Sequence, residues 1–283
     1  MLVDARNCLY RAIYAGLSDK TFIEAKHDFL VIFFRFMNSY IHRFRPSSIH
    51  FFWDAPKVEV WRKSIYPAYK DGRQHRCENI DEYLDRCTMI CKLMIPYLNS
   101  RSYELPQQEA DDLIYAFCHM NSNQRIIIIS GDGDFRQIPY RFNNIDLFNP
   151  LGKSNELYNR ANEECDPIEL KCFVGETGDN LDGYEQIGKV RAKVLVDDYK
   201  KRKEFFQTHD PALYRLNRNL IDLALCPYLD ENMIYVSDQL AIDPIFDLSQ
   251  LTNLVQTHKV RGLLGELKRT VLSFKFVNNV NNV

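Results

Sequence analysis

Four consecutive isoleucines, Ile126–Ile129, lie between Arg125 and Ser130. A β-branched run with no polar alternation fits a strand buried on both faces, the central position of a parallel sheet covered by helices. Parallel neighbours need crossover connections, usually helical, and the chain carries that pattern. Residues 1–3 form a short apolar run, and residues 49–53 form another. Between them, apolar side chains at 22, 23, 29, 30, 33, 36, 37, 40, 41 and 44 fall on one helical stripe, which Pro46 stops. Strand, helix, strand predicts a βαβ crossover. Further strands are expected at 101–105 and 145–148, and a helix from about 80 to 98. The fold expected is α/β, a central, twisted, mostly parallel sheet flanked by helices.

After Asp166 the pattern becomes helical only. Asp166-Pro167 reads as an N-cap with proline at the first helical position. Helices are expected at 168–174, 189–199 and 214–225, with weaker ones at 248–255 and 261–272. A length of 283 residues with 46% apolar content allows an α/β part over 1–165 and a helical part over 166–283. The eight cysteines contain no C-x-x-C pair and the seven histidines are scattered, which argues against structural zinc. Buried, reduced thiols and a cytoplasmic setting are expected instead. Asp4 and Arg6 follow Met1-Leu2-Val3 at once, leaving no apolar leader core. The apolar segment at 29–37 contains Arg35 and has helical spacing, so it reads as core and not as a membrane span.

The acids are placed with more regularity than the fold requires. The first two strands end in Asp4 and Asp54, and the isoleucine strand runs into Gly131-Asp132-Gly133-Asp134. Gln108-Glu109-Ala110-Asp111-Asp112 precedes the apolar run 113–117 and reads as the first turn of a helix, where unpaired N–H groups favour acids. Glu176 and Asp179 follow in a Gly-rich loop at 175–188. Ligands of open parallel sheets bind beyond the carboxyl ends of the strands. These acids would therefore converge on one region. Two carboxylates about 5 Å apart repel by about 3 kcal/mol at an effective dielectric near 20. Divalent cations relieve such repulsion, and oxygen-only ligation favours Mg²⁺ or Mn²⁺. A site of this kind suits two-metal phosphodiester hydrolysis. A phospho-aspartate phosphatase is the weaker reading, because Asp4-Ala5-Arg6 lacks the second acid of a D-x-D pair.

Basic residues supply the complement. Tyr69, Lys70, Arg73 and Arg76 lie in an aromatic, Pro/Gly-broken stretch, with Tyr69 a candidate to stack on an unpaired base. Lys189, Arg191 and Lys193, followed by Lys200-Lys201-Arg202-Lys203, form a basic patch beyond the Gly loop. A net charge of −2 and a pI near 6.4 give no overall cationic signal. A segregated surface is still compatible with nucleic acid.

Taken together, Met1-Leu2-Val3-Asp4, the strand end at Asp54, Tyr69-Lys70-x-x-Arg73, Glu109-Ala110-Asp111-Asp112, Ser130-Gly131-Asp132-Gly133-Asp134-Phe135-x-Gln137 and Gly175-Glu176-x-x-Asp179-Asn180-x-x-Gly183 through Ile187-Gly188 occur in this order. The chain resembles the 5′ nucleases of the flap endonuclease family, particularly bacteriophage 5′–3′ exonucleases, over residues 1 to about 195. The resemblance implies that Glu109, Asp111 and Asp132 ligate a first Mg²⁺, with Mn²⁺ able to substitute. Asp4 and Asp54 would hold its waters, and Asp112 would belong to the same cluster. Asp134, Glu176 and Asp179 would serve a second ion. It also implies that Lys70 and Arg73 contact the scissile phosphate at the base of a helical arch over about 74–98. A helix–two-turn–helix element at about 175–197, with Gly183, Ile187 and Gly188 in its turns, would grip the duplex and often holds a K⁺. Two departures stand out. Glu176 occupies a position usually Asp, which would shift the second ion. Gln186 occupies a position where Gly is common, and a side chain there disfavours the positive-φ turn on which the K⁺ depends.

The activity implied is a divalent-metal-dependent, structure-specific 5′ nuclease, both 5′–3′ exonuclease and 5′-flap endonuclease, acting as a monomer in the cytoplasm (a host's, if viral). Its substrates would be DNA with a 5′ flap, a nick or a recessed 5′ end. RNA–DNA hybrids and the removal of replication primers follow as further candidates. The competing reading is a non-catalytic, structure-specific DNA-binding protein, whose mark would be the loss of several acids. None is lost.

Overall fold

The computed structural model describes residues 1–17, 29–56, 60–71, 80–150 and 156–277. Six strands form one sheet in the order β3-β2-β1-β4-β5-β6. They are β1 (Leu2–Asp4), β2 (His50–Phe52), β3 (Arg101–Tyr103), β4 (Ile126–Ile129), β5 (Ile145–Phe148) and β6 (Leu157–Tyr158). All neighbours are parallel except β5 and β6. The predicted strands are all present, shortened by up to two residues. The two-residue antiparallel β6 was not expected, and so short an edge strand carries no periodicity to read.

Alternation along the strands sorts side chains to two buried faces. Val3, Phe51, Ile129 and Phe148 enter one core; Leu2, Phe52, Ile128 and Leu147 enter the other. This is why the strands read as continuous apolar runs. The first face is covered by α1 (Ala5–Leu17) and α2 (Phe29–Phe44), and by α4 (Ile80–Met94), which follows the short α3 (Arg62–Ile65). The second is covered by α5 (Ala110–Met120), with α6 (Gln137–Arg141) beside it.

The crossover between β1 and β2 holds a helix that the reading of residues 22–44 left out. α1 begins directly after Asp4, and its buried Ala5, Cys8, Leu9, Ala12 and Ile13 repeat at helical spacing. Of the 22–44 stripe, residues 29–44 are helical and the first seven lie outside the described residues. Beyond residue 166 come α7 (Pro167–Val174), α8 (Lys189–Asp197), α9 (Tyr199–Thr208), α10 (Ala212–Ile221), α11 (Leu229–Leu240), α12 (Leu248–Thr257), α13 (Arg261–Leu264) and α14 (Leu267–Lys275). The helix expected at 189–199 stops at Asp198, whose carboxylate accepts from the N–H groups of Lys200 and Lys201 and so starts α9. α11 was not expected; its Val236 joins the second core. α14 returns to the first core, with the Phe274 ring 6.4 Å from those of Phe34 and Phe51. No described helix is long and apolar enough to cross a membrane.

Candidate metal centre

The strand register brings the acids to one edge. Asp4 pairs with Phe52, Phe52 with Tyr103, and Val3 with Ile129. Asp4, Asp54 and Asp132 therefore leave the sheet at the same carboxyl end. Each is held by a hydrogen bond. Asn7 N donates to Asp4 Oδ1 at 3.2 Å and Ser130 Oγ to Asp4 Oδ2 at 2.8 Å. Ala110 N donates to Asp54 Oδ1 at 2.9 Å, tying the β2 end to the start of α5. Asp134 N donates to Asp132 Oδ1 at 2.9 Å, an Asx turn.

At the start of α5, Glu109 is the N-cap and not yet helical. It forms a capping box with Asp112: the Glu109 N–H donates to Asp112 Oδ2 at 3.0 Å, and the Glu109 side chain accepts from the Asp112 N–H. Oxygens of Glu109, Asp111 and Asp112 lie within 4.8 Å of one another. A cation missed by the sequence reading sits among them. Arg62 is 1% exposed. Its Nη1 donates to Glu109 Oε2 at 2.7 Å and to Asp112 Oδ2 at 3.0 Å, and its Nη2 to Asp112 Oδ1 at 2.8 Å. Trp61 Nε1 adds a bond to Asp112 Oδ2 at 3.1 Å. Both Asp112 oxygens accept from protein donors, as both Glu109 oxygens do, so the two acids anchor the cluster. The only signal for Arg62 was its place in the basic, aromatic stretch that also holds Trp61.

The charges on these groups diverge. Burial would raise Glu109, but Lys70 and Arg62 hold it down at about 2. Burial, followed by the nearby Asp54 charge, lifts Asp4 to about 8. Burial and Glu109 raise Asp54, and burial raises Asp111 well above the carboxylate range. Burial and Asp134 take Asp132 to about 6. Asp4 feels Asp54 and Asp132, Asp54 feels Glu109, and Asp132 feels Asp134, while Arg62 and Lys70 offset only part of the burial that raises Asp54, Asp111 and Asp132.

A second acidic group adjoins it. Lys171, on α7, donates to Asp134 and, at 2.8 Å, pairs with Glu176. It too was missed, although it lies one helical turn before Gly175-Glu176. Asp179 is 5% exposed; its Oδ2 accepts from Tyr69 Oη at 3.3 Å, and its carbonyl accepts from Lys70 N at 3.0 Å. Gly175 is at φ +77, and a Cβ on Gly183 would lie 2.0 Å from the carbonyl oxygen of Val174, so that close turn requires glycine.

The basic residues divide. Lys70, at φ 57, reaches Glu109 with Nζ at 2.5 Å. Tyr69 does not present a stacking face: it is 2% exposed, packed with Val60, Ile168 and Leu181, and its hydroxyl bridges Glu109 and Asp179. Arg73, Arg76 and the first residues of the expected arch lie outside the described residues. Gly188, Lys189 and Arg191 are exposed. Ile187 is half-buried on α8, and Lys193 pairs with Glu164. Arg202 of the basic run is turned inward to Glu169 at 2.9 Å. Gln186 adopts φ 60. The left-handed turn therefore forms without glycine, against expectation; a single αL residue costs only about 1–2 kcal/mol.

The donor set fits hard divalent cations: carboxylate oxygens only, several disfavoured as anions, and no thiol or imidazole among them. One expectation follows for the ion-free protein. Asp4 binds its proton in the folded state up to about pH 8, but in the unfolded chain only to about 4. Stability should then fall as pH rises through that window. Ion binding displaces those protons. The rise in Tm on adding Mn²⁺ should be larger at pH 8 than at pH 6; equal rises in calorimetry at the two pH values would contradict the raised Asp4 carboxyl.

The model of the 5′–3′ exonuclease N-terminal, resolvase-like domain matches residues 1–166. The chain belongs to this 5′–3′ exonuclease family. It is 24% identical over 257 residues to DNA polymerase I of Lactococcus lactis subsp. lactis, covering 85% of this chain and 28% of that protein. The chain thus spans less than a third of the polymerase relatives that it matches. It is 24% identical to a 5′–3′ exonuclease of Mycoplasma genitalium, over 98% of both chains, and 25% identical to the flap endonuclease Xni of Shewanella baltica, over 74% of this chain and 78% of that one. Among solved structures, the bacteriophage T5 flap endonuclease in complex with DNA and metal ions aligns with a TM-score of 0.62 at 19% identity, over 92% of this chain and 98% of that one. That likeness shows the fold. This 5′–3′ exonuclease family member thus combines a mostly parallel sheet with strand-end and helix-start acids at its carboxyl edge.

Proposed function

We propose that the protein is a divalent-metal-dependent 5′ nuclease that hydrolyses phosphodiester bonds in DNA with a 5′ flap, a nick or a recessed 5′ end. The observation that carries this reading is the cluster of Asp4, Asp54, Glu109, Asp111 and Asp132, in which all but Glu109 are shifted toward the protonated form when no ion compensates them. When bound, two Mg²⁺ or Mn²⁺ ions supply charge neutralisation at the phosphate and a lowered pKa for the attacking water. Glu109, Asp111 and Asp132 would hold the first; Asp134, Glu176 and Asp179 would hold the second. Asp4 and Asp54 orient water and accept its protons.

Lys171 neutralises Asp134 and Glu176 in the ion-free protein and would have to leave them for these acids to hold a second cation. Lys70 likewise leaves Glu109 to donate to a phosphate oxygen, with Arg73 as its partner. Residues 1–165 serve as the catalytic part, with the arch at about 74–98. Residues 166–283 carry the duplex grip, through Gly183, Ile187, Gly188, Lys189, Arg191 and Lys193 of the element at about 175–197. The left-handed Gln186 keeps a K⁺ site in the turn admissible. Action as a cytoplasmic monomer, and removal of RNA primers from RNA–DNA hybrids, belong to the same proposal.

The test is incubation of a 5′-flap duplex with Mg²⁺ and with EDTA. Cleavage that requires Mg²⁺ and releases a 5′-phosphorylated downstream product is expected. Binding without cleavage would favour a purely architectural DNA-binding protein. Lys70→Ala should lower the single-turnover rate by about 10²–10³-fold, the scale for removing one transition-state donor, while Mn²⁺ binding by calorimetry persists. An unchanged rate would make Lys70 a neutralising residue only.

A further inference from the structure

The donors proposed for a second ion come from two separate segments, the loop of Asp134 and the turn of Glu176 and Asp179. Burial does not fix Asp134 and Glu176, whose side chains are 21% and 35% exposed, yet one ammonium, that of Lys171, reaches both. Their spacing is therefore a property of the two backbones, and α10 holds each of them through a buried carboxamide.

Gln137 makes the first clasp. It is 2% exposed. Its Nε2 donates to the carbonyls of Asp134 at 3.0 Å and Ile221 at 3.1 Å, and its Oε1 accepts from Leu223 N at 2.9 Å. The Asp134 loop is thus tied to the end of α10. Asn217, fully buried on α10 itself, makes the second clasp. Its Nδ2 donates to the carbonyls of Cys172 at 3.1 Å and Asp182 at 2.7 Å. Asp182 follows Leu181, which exchanges two backbone bonds with Glu176, at 2.9 and 3.0 Å. The Asn217 Oδ1 has no hydrogen-bond partner among the described residues. A buried acceptor left alone is unfavourable, so the contribution of this amide lies in its two donor bonds. Asn217 and Ile221 are one turn apart on the same face of a helix, so both clasps refer to one rigid rod.

Mg²⁺ requires near-ideal octahedral geometry at about 2.0–2.1 Å, whereas Ca²⁺ accepts variable shells at about 2.3–2.6 Å. Donors at a fixed spacing can discriminate between them, and donors on slack loops cannot. We infer that α10 sets the spacing of the second ion's donors, and that Gln137 and Asn217 are positioning residues which make this site select Mg²⁺ and Mn²⁺ over Ca²⁺. Both act through the backbone and neither touches the ion. The inference rests on the assignment of Asp134, Glu176 and Asp179 to a second cation.

The test titrates Mn²⁺ and Ca²⁺ by calorimetry into the full-length, DNA-free protein as wild type, Gln137→Met and Asn217→Leu. The wild type should bind two Mn²⁺. Either substitution should weaken the second Mn²⁺ about ten-fold, the low end for loss of a group that orients a ligand. Ca²⁺ binding should change by less than about threefold, because its shell adapts. The Mn²⁺ concentration that half-saturates cleavage of a 5′-flap duplex should rise by the same factor as the Mn²⁺ dissociation constant, and excess Mn²⁺ should restore the rate. Gln137→Asn keeps the carboxamide but withdraws it; it should give the same shift, and it serves if the apolar variants do not fold. Asn219→Gly, on the exposed side of α10, weakens the helix but keeps both clasps, so its Mn²⁺ affinity should match wild type. Unchanged Mn²⁺ affinity in the folded clasp variants, equal weakening of Mn²⁺ and Ca²⁺, or the same shift in Asn219→Gly overturns the role of α10. Normal Mn²⁺-dependent wild-type cleavage alongside that result sinks this inference alone. A wild type that binds one Mn²⁺ sinks the second-ion assignment and the inference with it. Two bound ions without cleavage sink the nuclease reading.

Discussion

Arg62→Met should lower the free energy of unfolding by about 3–5 kcal/mol, the usual cost of removing one partner from a buried ion cluster. Methionine keeps much of the volume, so the loss is chiefly electrostatic. Glu109 and Asp112 would remain buried, at 6% and 1% exposed, with Lys70 still on Glu109 and only neutral donors on Asp112. Against a total stability of about 5–15 kcal/mol for an ordinary domain, the change is large enough to leave a substantial unfolded fraction. Urea denaturation followed by circular dichroism measures it. Arg62→Lys should fall between the two, because an ammonium keeps the charge but cannot make the two parallel bonds to Asp112. Removing both charges, in Arg62→Met with Asp112→Leu, should restore part of the loss. An unfolding free energy for Arg62→Met within about 0.5 kcal/mol of wild type would mean that the cluster is neutralised by protonation and not by the guanidinium.

Asp132→Asn should reduce the single-turnover cleavage of a flapped duplex by at least about 10³-fold, the upper scale for loss of one electrostatic contributor to the transition state. Duplex affinity should stay within a few-fold. The substitution is informative because the fold tolerates it: Asn Oδ1 can still accept from the Asp134 N–H, so the Asx turn survives. What is lost is the negative charge beside Asp4 and Asp134. The exposed Lys189 and Arg191 of α8 keep their charge. Gel-based cleavage in Mg²⁺ and fluorescence anisotropy separate the two effects. Turnover near the wild-type rate would remove Asp132 from the chemistry.

Much of this arrangement is legible in the chain, for reasons that individual residues make plain. Ile126–Ile129 could be placed at the sheet centre because two-sided burial leaves no polar alternation. Asp4, Asp54 and Asp132 could be aligned because parallel strands end on one edge. α1 and α11 carried usable helical spacing and were overlooked: the first starts without a loop after Asp4, and the second follows a short turn. Tyr69, Arg62 and Lys171 are different. Nothing local tells an aromatic or a cation that will face solvent from one that will be buried. Tyr69 reads as a stacking platform until Val60, Ile168 and Leu181 are seen to enclose it.

The order of the motifs, the periodicity of the apolar residues and the identity of the donor atoms belong to the sequence by itself. They determined a parallel sheet with an acid at the end of each key strand and carboxylate oxygen as the only candidate ligand atom. The tertiary structure alone decided which of those acids carry charge. A pKa depends on burial and on cations that arrive from distant parts of the chain. Arg62 lies 47 residues from Glu109 in the chain, and Lys70 lies 39 residues away. Packing brings both onto one carboxylate, while Arg62 reaches Asp111 only at 3.8 Å and burial still raises Asp4, Asp54 and Asp111.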